Sequence, residues 1–304
     1  MTSRLASTSL AASDAARCDD LNPVAARVGS WELIRLLGEG AMAAVYQARP
    51  VGASSEEAAA YAVKLLRGPW QNDARGLGLL CREAVVGRKV SHPHLVPILA
   101  ASLHEPPYFL VMPLLKGITV AAQLAGGRLP PLPMALGIAR QVAQALNTLH
   151  VAGWIHADVK PSNVMFSPSG HATLIDLGFA QRSEQSGSAA DRPVLGTLHY
   201  IAPEMLTSAL RATDRCDVYS LGVALFEMLT GQLPFDADEI AELAARHRQH
   251  TATDLRALRP QLPTRAARLV RQMLAKEPLR RPCAREVVER LVSLEIETFA
   301  EYAA

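Results

Sequence analysis

A short polar segment between apolar residues constrains this chain more than any other feature of its sequence. Residues 156–163 read His-Ala-Asp-Val-Lys-Pro-Ser-Asn, and apolar runs lie on either side at residues 154–155 and 164–166. Polar groups between strand-like runs indicate a loop held on a rigid base, which is where catalytic residues often lie. An ordinary solvated turn is the alternative, because proline, serine and asparagine are common turn residues.

The composition predicts a globular protein with a sizeable core. The chain has 304 residues, of which 49% are hydrophobic and 20% charged, enough for two ordinary domains or one large two-lobed domain. A net charge of +2 does not favour nucleic acid or an anionic membrane surface as the main partner. No apolar run approaches the roughly 18 residues that span a bilayer, and the four cysteines lack metal or redox spacing. We therefore expect no membrane span, free thiols and a cytoplasmic location.

Lysine is rare among the basic residues of this chain. Five of the 31 basic residues are lysine and the others are arginine. A compact ammonium and a planar guanidinium are not interchangeable, so lysine is expected where arginine cannot serve. This pattern draws attention to Lys64 and Lys160, whereas Lys89 and Lys116 are equally compatible with an exposed surface.

Hydrophobic patterns predict an α+β fold with a small five-stranded lobe and a larger, mainly helical lobe. Residues 1–30 are poor in large apolar side chains and are predicted to form a disordered tail. The small lobe is predicted to span residues 31–115, with one main helix at 73–90. Its predicted strands are 31–37, 44–49, 61–66, 95–103 and 108–112.

The helical lobe is predicted to span residues 116–304. Its helix at 132–151 shows apolar residues at helical spacing, and the helix at 214–230 is apolar enough to be deeply buried. The other predicted helices are 118–125, 237–248, 264–274 and 284–300, and a short hairpin is predicted at 164–166 and 172–175.

A glycine turn and a lysine within an apolar strand suggest a phosphate site in the small lobe. Gly38 and Gly40 lie between the first two predicted strands, where backbone N–H groups can approach a phosphate closely. Lys64 lies among apolar strand residues, where an unpaired ammonium is costly, and Glu83 on the following helix is an available partner. The alternatives are an ordinary tight hairpin and a lysine that reaches out to solvent.

Two acids complete the parts that phosphoryl transfer needs. Asp158 lies in the polar segment, and Asp176 follows an apolar run and precedes Gly178. One acid can accept a proton from an attacking hydroxyl, while the other, with an amide oxygen such as that of Asn163, can hold a hard cation such as Mg²⁺. Each acid alone could be a simple cap, but their combination with a phosphate turn and a lysine indicates phosphoryl transfer.

Taken in order, these motifs resemble those of the eukaryotic-like serine/threonine protein kinases, especially the bacterial ones. The resemblance covers residues 31 to about 295, and such an ordered series is highly specific. Its motifs are residues 37–45, 62–64, Glu83, 156–163, 176–178, 196–204, 217–222 and Arg281.

The resemblance implies a role for each site residue. It implies that Asp158 is the catalytic base, Lys160 steadies the transferred phosphate, Asn163 and Asp176 bind Mg²⁺, Lys64 holds the ATP phosphates and Glu83 positions Lys64. It further implies that ATP is bound by Leu37, Gly38, Glu39, Gly40, Ala41, Met42, Ala43, Ala44, Val45, Ala62, Lys64, Glu83, Met112, Pro113, Leu115, Met165 and Asp176. Two structural contacts are also implied: Glu204 with Arg281, and Asp217 with the backbone of the catalytic loop.

The resemblance also implies the substrate class. Lys160 and Thr197 match the serine/threonine pattern rather than the tyrosine pattern, and residues 196–204 are an element that small-molecule kinases lack. The expected reaction is phosphorylation of protein serine or threonine hydroxyls by ATP, together with autophosphorylation. The alternative is a weak or silent ATP-binding pseudokinase that acts as a scaffold.

Four residues depart from the family pattern. Ala43 replaces the third loop glycine and is expected to stiffen the loop and weaken nucleotide binding somewhat, although alanine still fits where φ is negative. Leu177 replaces a phenylalanine, which is a volume-conserving apolar change. Gly87 replaces a large apolar residue and is expected to loosen the helix that carries Glu83. Ala157 replaces the arginine that receives a phosphate on the activation loop. We therefore expect basal activity not to require phosphorylation of the loop serines, which are Ser183, Ser186 and Ser188.

Overall fold

A six-stranded antiparallel sheet forms the first lobe of the protein. Residues 26–53, 59–183, 198–206 and 212–303 are described by a computed structural model, with side chains described up to residue 298. The strands are β1 (Arg27–Val28), β2 (Trp31–Glu39), β3 (Ala43–Pro50), β4 (Tyr61–Leu66), β5 (Ala100–Ser102) and β6 (Phe109–Pro113), in the spatial order β1-β2-β3-β4-β6-β5. The lobe also contains helix α1 (Ala74–Lys89).

Two features of this sheet differ from the prediction. The sheet has six described strands rather than five, because β1 lies within the predicted tail and pairs with β2 through Val28 and Trp31. The predicted strand at 95–103 shortens to β5, because the residues before it bond to the other lobe. Val96 N–H donates to Leu174 O at 3.0 Å, and Leu174 N–H donates to His94 O at 2.9 Å. The loop after α1 is therefore attached to the helical lobe.

The glycine turn is shorter than predicted. Strand β2 continues to Glu39 and β3 begins at Ala43, so the turn consists of residues 40–42 and is closed by a 2.8 Å hydrogen bond from Gly40 N–H to Ala43 O. Arg67 supports the turn, because its guanidinium bonds to Gly40 O and pairs with Glu39 at 3.0 Å. Ala43 is an ordinary strand residue, so the missing third glycine leaves the hairpin intact.

Helix α1 follows the prediction closely. Asp73 caps it by accepting the Arg75 N–H at 2.8 Å, which satisfies one of the free donors at the helix start. The buried face carries Leu80, Glu83 and Ala84. Near its end, a Cβ added to Gly87 would lie 2.5 Å from the Cγ1 atom of Ile98, so glycine allows a close approach that a larger residue would block.

The helical lobe is built around two long helices, α3 (Leu132–Val151) and α4 (Asp214–Thr230), and both have the predicted bounds. Helix α4 is buried on nearly every side and ends at Gly231, whose φ of +74° favours glycine. The remaining helices are α2 (Val120–Ala125), α5 (Ile240–Gln249), α6 (Leu255–Leu258), α7 (Thr264–Met273) and α8 (Ala284–Ala303).

Short strands hold the segments that surround the polar loop. The predicted hairpin is present as β9 (Val164–Phe166) and β10 (Ala172–Leu174), and β7 (Ile118–Thr119) adds a third strand. Strand β8 (Trp154–Ile155) pairs with β11 (Gln181–Arg182) on the two sides of that loop. Two-residue strands have no periodicity, so β7, β8 and β11 were absent from the prediction.

Disulfides and membrane-spanning helices are both expected from the sequence to be absent. Cys81, Cys216 and Cys283 form no disulfide within the described ranges. In the same ranges, no helix combines the length and the apolar character that a membrane crossing requires.

Candidate active site

Lys64 is paired inside the cleft rather than exposed on the surface. It lies on β4 with 8% of its surface exposed, and its Nζ atom is 2.7 Å from Glu83 Oε2 and 3.0 Å from Asp176 Oδ1. Burial alone would lower the pKa of Lys64, but the two carboxylates outweigh it and raise the pKa above its ordinary value. Lys64 is therefore a permanent cation, and its contact with Glu83 holds α1 close to the sheet.

Asp158 is a buried carboxylate, and one of its two oxygens lacks a hydrogen-bond partner among the described residues. Its Oδ2 atom is 2.8 Å from Lys160 Nζ and accepts a 2.9 Å hydrogen bond from Asn163 Nδ2. Its Oδ1 atom is buried and has no hydrogen-bond partner among the described residues. Burial raises the pKa of Asp158, and the charge of Lys160 opposes that rise. This oxygen can accept a proton from a group that enters the cleft.

Asp217 fixes the backbone of the polar loop. Its Oδ2 atom accepts the His156 N–H at 2.8 Å, and its Oδ1 atom accepts the Ala157 N–H at 2.7 Å. Ala157 has a φ of +65°, which costs a non-glycine residue about 1–2 kcal/mol. The carboxylate offsets this strain, and its contact with the loop backbone is the one that the resemblance implied. His150 Nε2 also lies 2.8 Å from Asp217 Oδ2. No local sequence pattern marks this histidine, because only the fold brings it to Asp217.

Asp176 and Asn163 leave two oxygens for a cation. Lys64 and the Gly178 N–H both bond to Oδ1 of Asp176, and Asn163 Nδ2 donates to Asp158. Among the described contacts, Asp176 Oδ2 and Asn163 Oδ1 therefore remain uncommitted. Burial would raise the pKa of Asp176, but Lys64 outweighs it and lowers the pKa below its ordinary value. The donors fit Mg²⁺, which prefers oxygen ligands and needs few of them from the protein because it retains water.

The other residues predicted to contact the nucleotide lie mostly on the sheet. In chain order, β2 carries Leu37, Gly38 and Glu39, the turn contains Gly40, Ala41 and Met42, β3 carries Ala43, Ala44 and Val45, β4 carries Ala62, β6 carries Met112 and Pro113, Leu115 follows β6, and β9 carries Met165. Gly38 has open space where a side chain would begin, with no heavy atom within 4 Å of an added Cβ. A ligand can therefore approach the backbone there.

One apolar cluster joins the strands of the predicted adenine pocket. Ala62 and Met112 face each other across β4 and β6, and both are buried in a cluster against which Val45 packs. Met165 lies in the other lobe, paired with Thr119 and Thr173, and the described contacts do not place it in this cluster. Its predicted position beneath the adenine therefore remains a prediction.

The segment between β6 and β7 matches the predicted hinge in its hydrogen bonding. Leu114 N–H donates to Ala60 O at 2.8 Å and is thus engaged. No backbone hydrogen bond of the described residues uses the Leu115 N–H. Pro113 has no N–H to leave unsatisfied. These positions suit a ligand that is bound through the Leu115 N–H and the Pro113 carbonyl.

A peptide segment lies beside the open carboxylate. Asp158 and Ala157 share a shallow depression with Tyr200, Ile201 and Ala202. The Tyr200 hydroxyl also donates to Glu227 Oε2 at 2.7 Å, a contact that the sequence analysis missed. Residues 196 and 197 of the predicted docking element lie outside the described residues.

A buried ion pair anchors the end of this segment. Arg281 Nη1 and Nη2 donate to the two oxygens of Glu204 at 2.6 and 2.8 Å. This is the pair that the resemblance implied. Arg281 also donates to the backbone oxygens of Ala275, Lys276 and Arg215, so its donors are well satisfied.

Comparison with known proteins agrees with this geometry. The family model of the protein kinase domain matches residues 31–292. This chain belongs to the protein kinase family. The two-lobed α+β fold is thereby confirmed, and the relatives described next confirm the resemblance to bacterial serine/threonine kinases.

Curated relatives narrow the comparison to bacterial kinases. The serine/threonine-protein kinase PrkC of Bacillus subtilis is 31% identical over 254 residues, which cover 83% of this chain and 38% of the relative. The serine/threonine-protein kinase PknD of Mycobacterium tuberculosis is 33% identical over 265 residues, covering 86% of this kinase chain and 39% of the relative. The chain thus spans about two-fifths of the length of these relatives.

Proposed function

We propose that this kinase chain transfers the γ-phosphoryl group of ATP to serine and threonine hydroxyls of proteins. The observation that carries the proposal is the set of contacts that Asp158 makes. Its carboxylate is buried, Oδ2 is bonded to Lys160 and Asn163, and Oδ1 has no hydrogen-bond partner among the described residues. A carboxylate held in this way is a general base with a fixed orientation. The relatives named above are described as serine/threonine-protein kinases, which supports the same substrate class.

The chemistry assigns one step to each polar group. Oδ1 of Asp158 accepts the proton of the substrate hydroxyl while the hydroxyl oxygen bonds to the γ-phosphorus. The bond between that phosphorus and the β–γ bridging oxygen breaks, and ADP leaves. Lys160 donates to the transferred phosphoryl oxygens, and Lys64 holds the α- and β-phosphates. Glu83 keeps Lys64 in place through the 2.7 Å ion pair.

Mg²⁺ would be held by Asn163 and Asp176, whose uncommitted oxygens provide suitable ligands. When bound, the ion neutralises charge on the phosphate oxygens. The adenine is expected to bond to the Pro113 carbonyl and the Leu115 N–H. The turn at residues 40–42 covers the phosphates from the side of the sheet.

Regulation is proposed to be largely independent of a phosphate on the activation loop. The side chain at position 157 is the methyl group of an alanine, so it offers no cation to such a phosphate. Arg182, which follows on β11, is engaged with the Trp154 ring at 5.0 Å and with Ala152 O at 3.3 Å.

A cytoplasmic location also remains a prediction.

Transfer of labelled phosphate from ATP to the protein itself and to a generic protein tests the proposal. We expect Asp158→Asn to reduce transfer at least about a hundredfold, because general-base catalysis commonly contributes 10²–10⁴-fold. Asp238→Asn is the matched control, since Asp238 is exposed. Nucleotide binding without transfer that depends on Asp158 would instead support the scaffold alternative.

A further inference from the structure

Three contacts join helix α1 to segment 176–178. Lys64 links Glu83 to Asp176, and Glu83 accepts the backbone N–H of Leu177. The third contact comes from Arg82, whose Nη1 atom donates to Gly178 O at 3.2 Å. Unlike Lys64 and Glu83, Arg82 has no role in the proposed function.

Segment 176–178 needs support from outside. Asp176 has a φ of +65°, a strained value for a residue with a side chain. Its Oδ1 atom accepts the Gly178 N–H at 3.3 Å, which closes the turn from within. A hydrogen bond from a charged guanidinium to Gly178 O fixes the same peptide from the helix side and is stronger than a bond between neutral groups.

The remaining cations of the chain do not supply this support. In the described ranges, the cations that bond to segment 176–178 are Lys64 and Arg82. Ala157 contributes no charge, and Arg182 is occupied by Trp154 and Ala152 O. Apart from Lys64, Arg82 is therefore the cation that bonds to this turn in the described ranges.

We propose that Arg82 is a positioning residue that keeps the turn of Asp176 in its metal-binding shape by holding Gly178 O. The proposal rests on the proposed function, because it assumes that Asp176 binds Mg²⁺ with a nucleotide. Arg82 acts through Gly178 and does not itself touch the metal or the nucleotide. Its effect should therefore appear in metal-dependent binding and not in binding of the nucleotide alone.

Equilibrium binding of a fluorescent ATP analogue over a series of Mg²⁺ concentrations tests this role in the full chain. We compare the wild type with Arg82→Met, which retains the apolar stem, and with Arg82→Lys. Arg88→Met is the matched control, because Arg88 is exposed in the last turn of the same helix. Loss of a charged hydrogen bond should weaken analogue binding in saturating Mg²⁺ roughly tenfold in Arg82→Met. Binding in excess EDTA and binding by Arg88→Met should equal the wild type.

Three results would overturn the proposal. The first is unchanged Mg²⁺-dependent binding in Arg82→Met. The second is equal weakening in Mg²⁺ and in EDTA, which would mark a general structural role. The third is a melting temperature lowered as much by Arg88→Met as by Arg82→Met. Hydrogen exchange provides a second measurement, since the peptide that contains residues 176–178 should exchange faster in Arg82→Met and remain unchanged in Arg88→Met.

These measurements separate the proposal from the proposed function. Binding and hydrogen exchange require no phosphate transfer, so they report on Arg82 even in a silent kinase. If the wild type fails to transfer phosphate, the proposed function fails and the binding comparison still decides the role of Arg82. If the wild type is active, Arg82→Met should also raise the KM for the Mg²⁺–ATP complex and leave the KM for the protein substrate unchanged.

Discussion

Two opposing influences act on the pKa of the Asp158 carboxylate. Burial raises its pKa and the Lys160 ammonium 2.8 Å away opposes the rise. A base must be ionised to accept a proton, so activity falls on the acid side as Asp158 becomes protonated. The pH at which activity falls, which is the acid limb of the pH–activity profile, thus reports the balance between burial and the charge of Lys160.

Lys160→Met should move the acid limb to higher pH. The substitution removes the charge that opposes the effect of burial, so Asp158 takes up its proton at a higher pH than in the wild type. The measurement is kcat/KM as a function of pH, with the position of the limb read separately from the lower maximum. Lys89→Met, an exposed lysine at the end of α1, should leave the limb in place. A limb that stays fixed in Lys160→Met would contradict the assignment of Asp158 as the base.

At the scale of elements, helix α1 depends on one close approach. The missing side chain at Gly87 lets the helix lie against Ile98, whose N–H donates to Gly87 O at 3.2 Å. From the sequence, this glycine is expected to loosen the helix. The described contacts show the helix close to the sheet, with Lys64 bonded to Glu83. Whether glycine also lowers its stability remains a prediction.

Gly87→Ala and Gly78→Ala form a matched pair on this helix. An added Cβ at Gly87 would clash with Ile98, so we expect the free energy of unfolding to fall by about 1–3 kcal/mol. An added Cβ at Gly78 would meet no heavy atom within 4 Å, so the higher helix propensity of alanine should raise the free energy of unfolding by about 0.5–1 kcal/mol. Chemical denaturation measures both, and the same sign for the two variants would refute the packing argument.

The sequence predicted long elements well because their patterns are local. The bounds of α3 follow from apolar residues at helical spacing after Pro131, and those of α4 from an apolar run between Thr213 and Gly231. Strand β1 and the short β5 could not be predicted, because strand partners and the other lobe determine them.

The same distinction applies to the site. The pairing of Lys64 with Glu83 was predictable, because an ammonium in an apolar strand requires a partner. The contacts of His150 with Asp217 and of Arg82 with Gly178 join distant parts of the chain. No local pattern distinguishes either residue from an ordinary surface histidine or arginine.

At the scale of the whole molecule, control of the kinase should not depend on the activation-loop serines. Alanine at Ser183, Ser186 and Ser188 together should leave phosphate transfer within tenfold of the wild type, because Ala157 has no cationic group to receive a phosphate. Ser186 and Ser188 lie outside the described residues. Phosphatase treatment of the wild type is the matched control and should have equally little effect. A loss greater than tenfold in the triple variant would show that another group receives the phosphate.

The attachment of the loop after α1 to the helical lobe determines where the molecule can bend. His94 O and Val96 N–H are bonded to Leu174, and Leu99 N–H donates to Val111 O of β6 at 2.8 Å, so this loop joins the helical lobe to the sheet. If the sheet rotates relative to the helical lobe about this loop, the end of α1 lies near the axis of rotation. The turn at residues 40–42 lies far from that axis. Opening of the cleft should therefore displace that turn further than it displaces Glu83. Nucleotide can then enter and leave while the ion pair that prepares Lys64 remains formed.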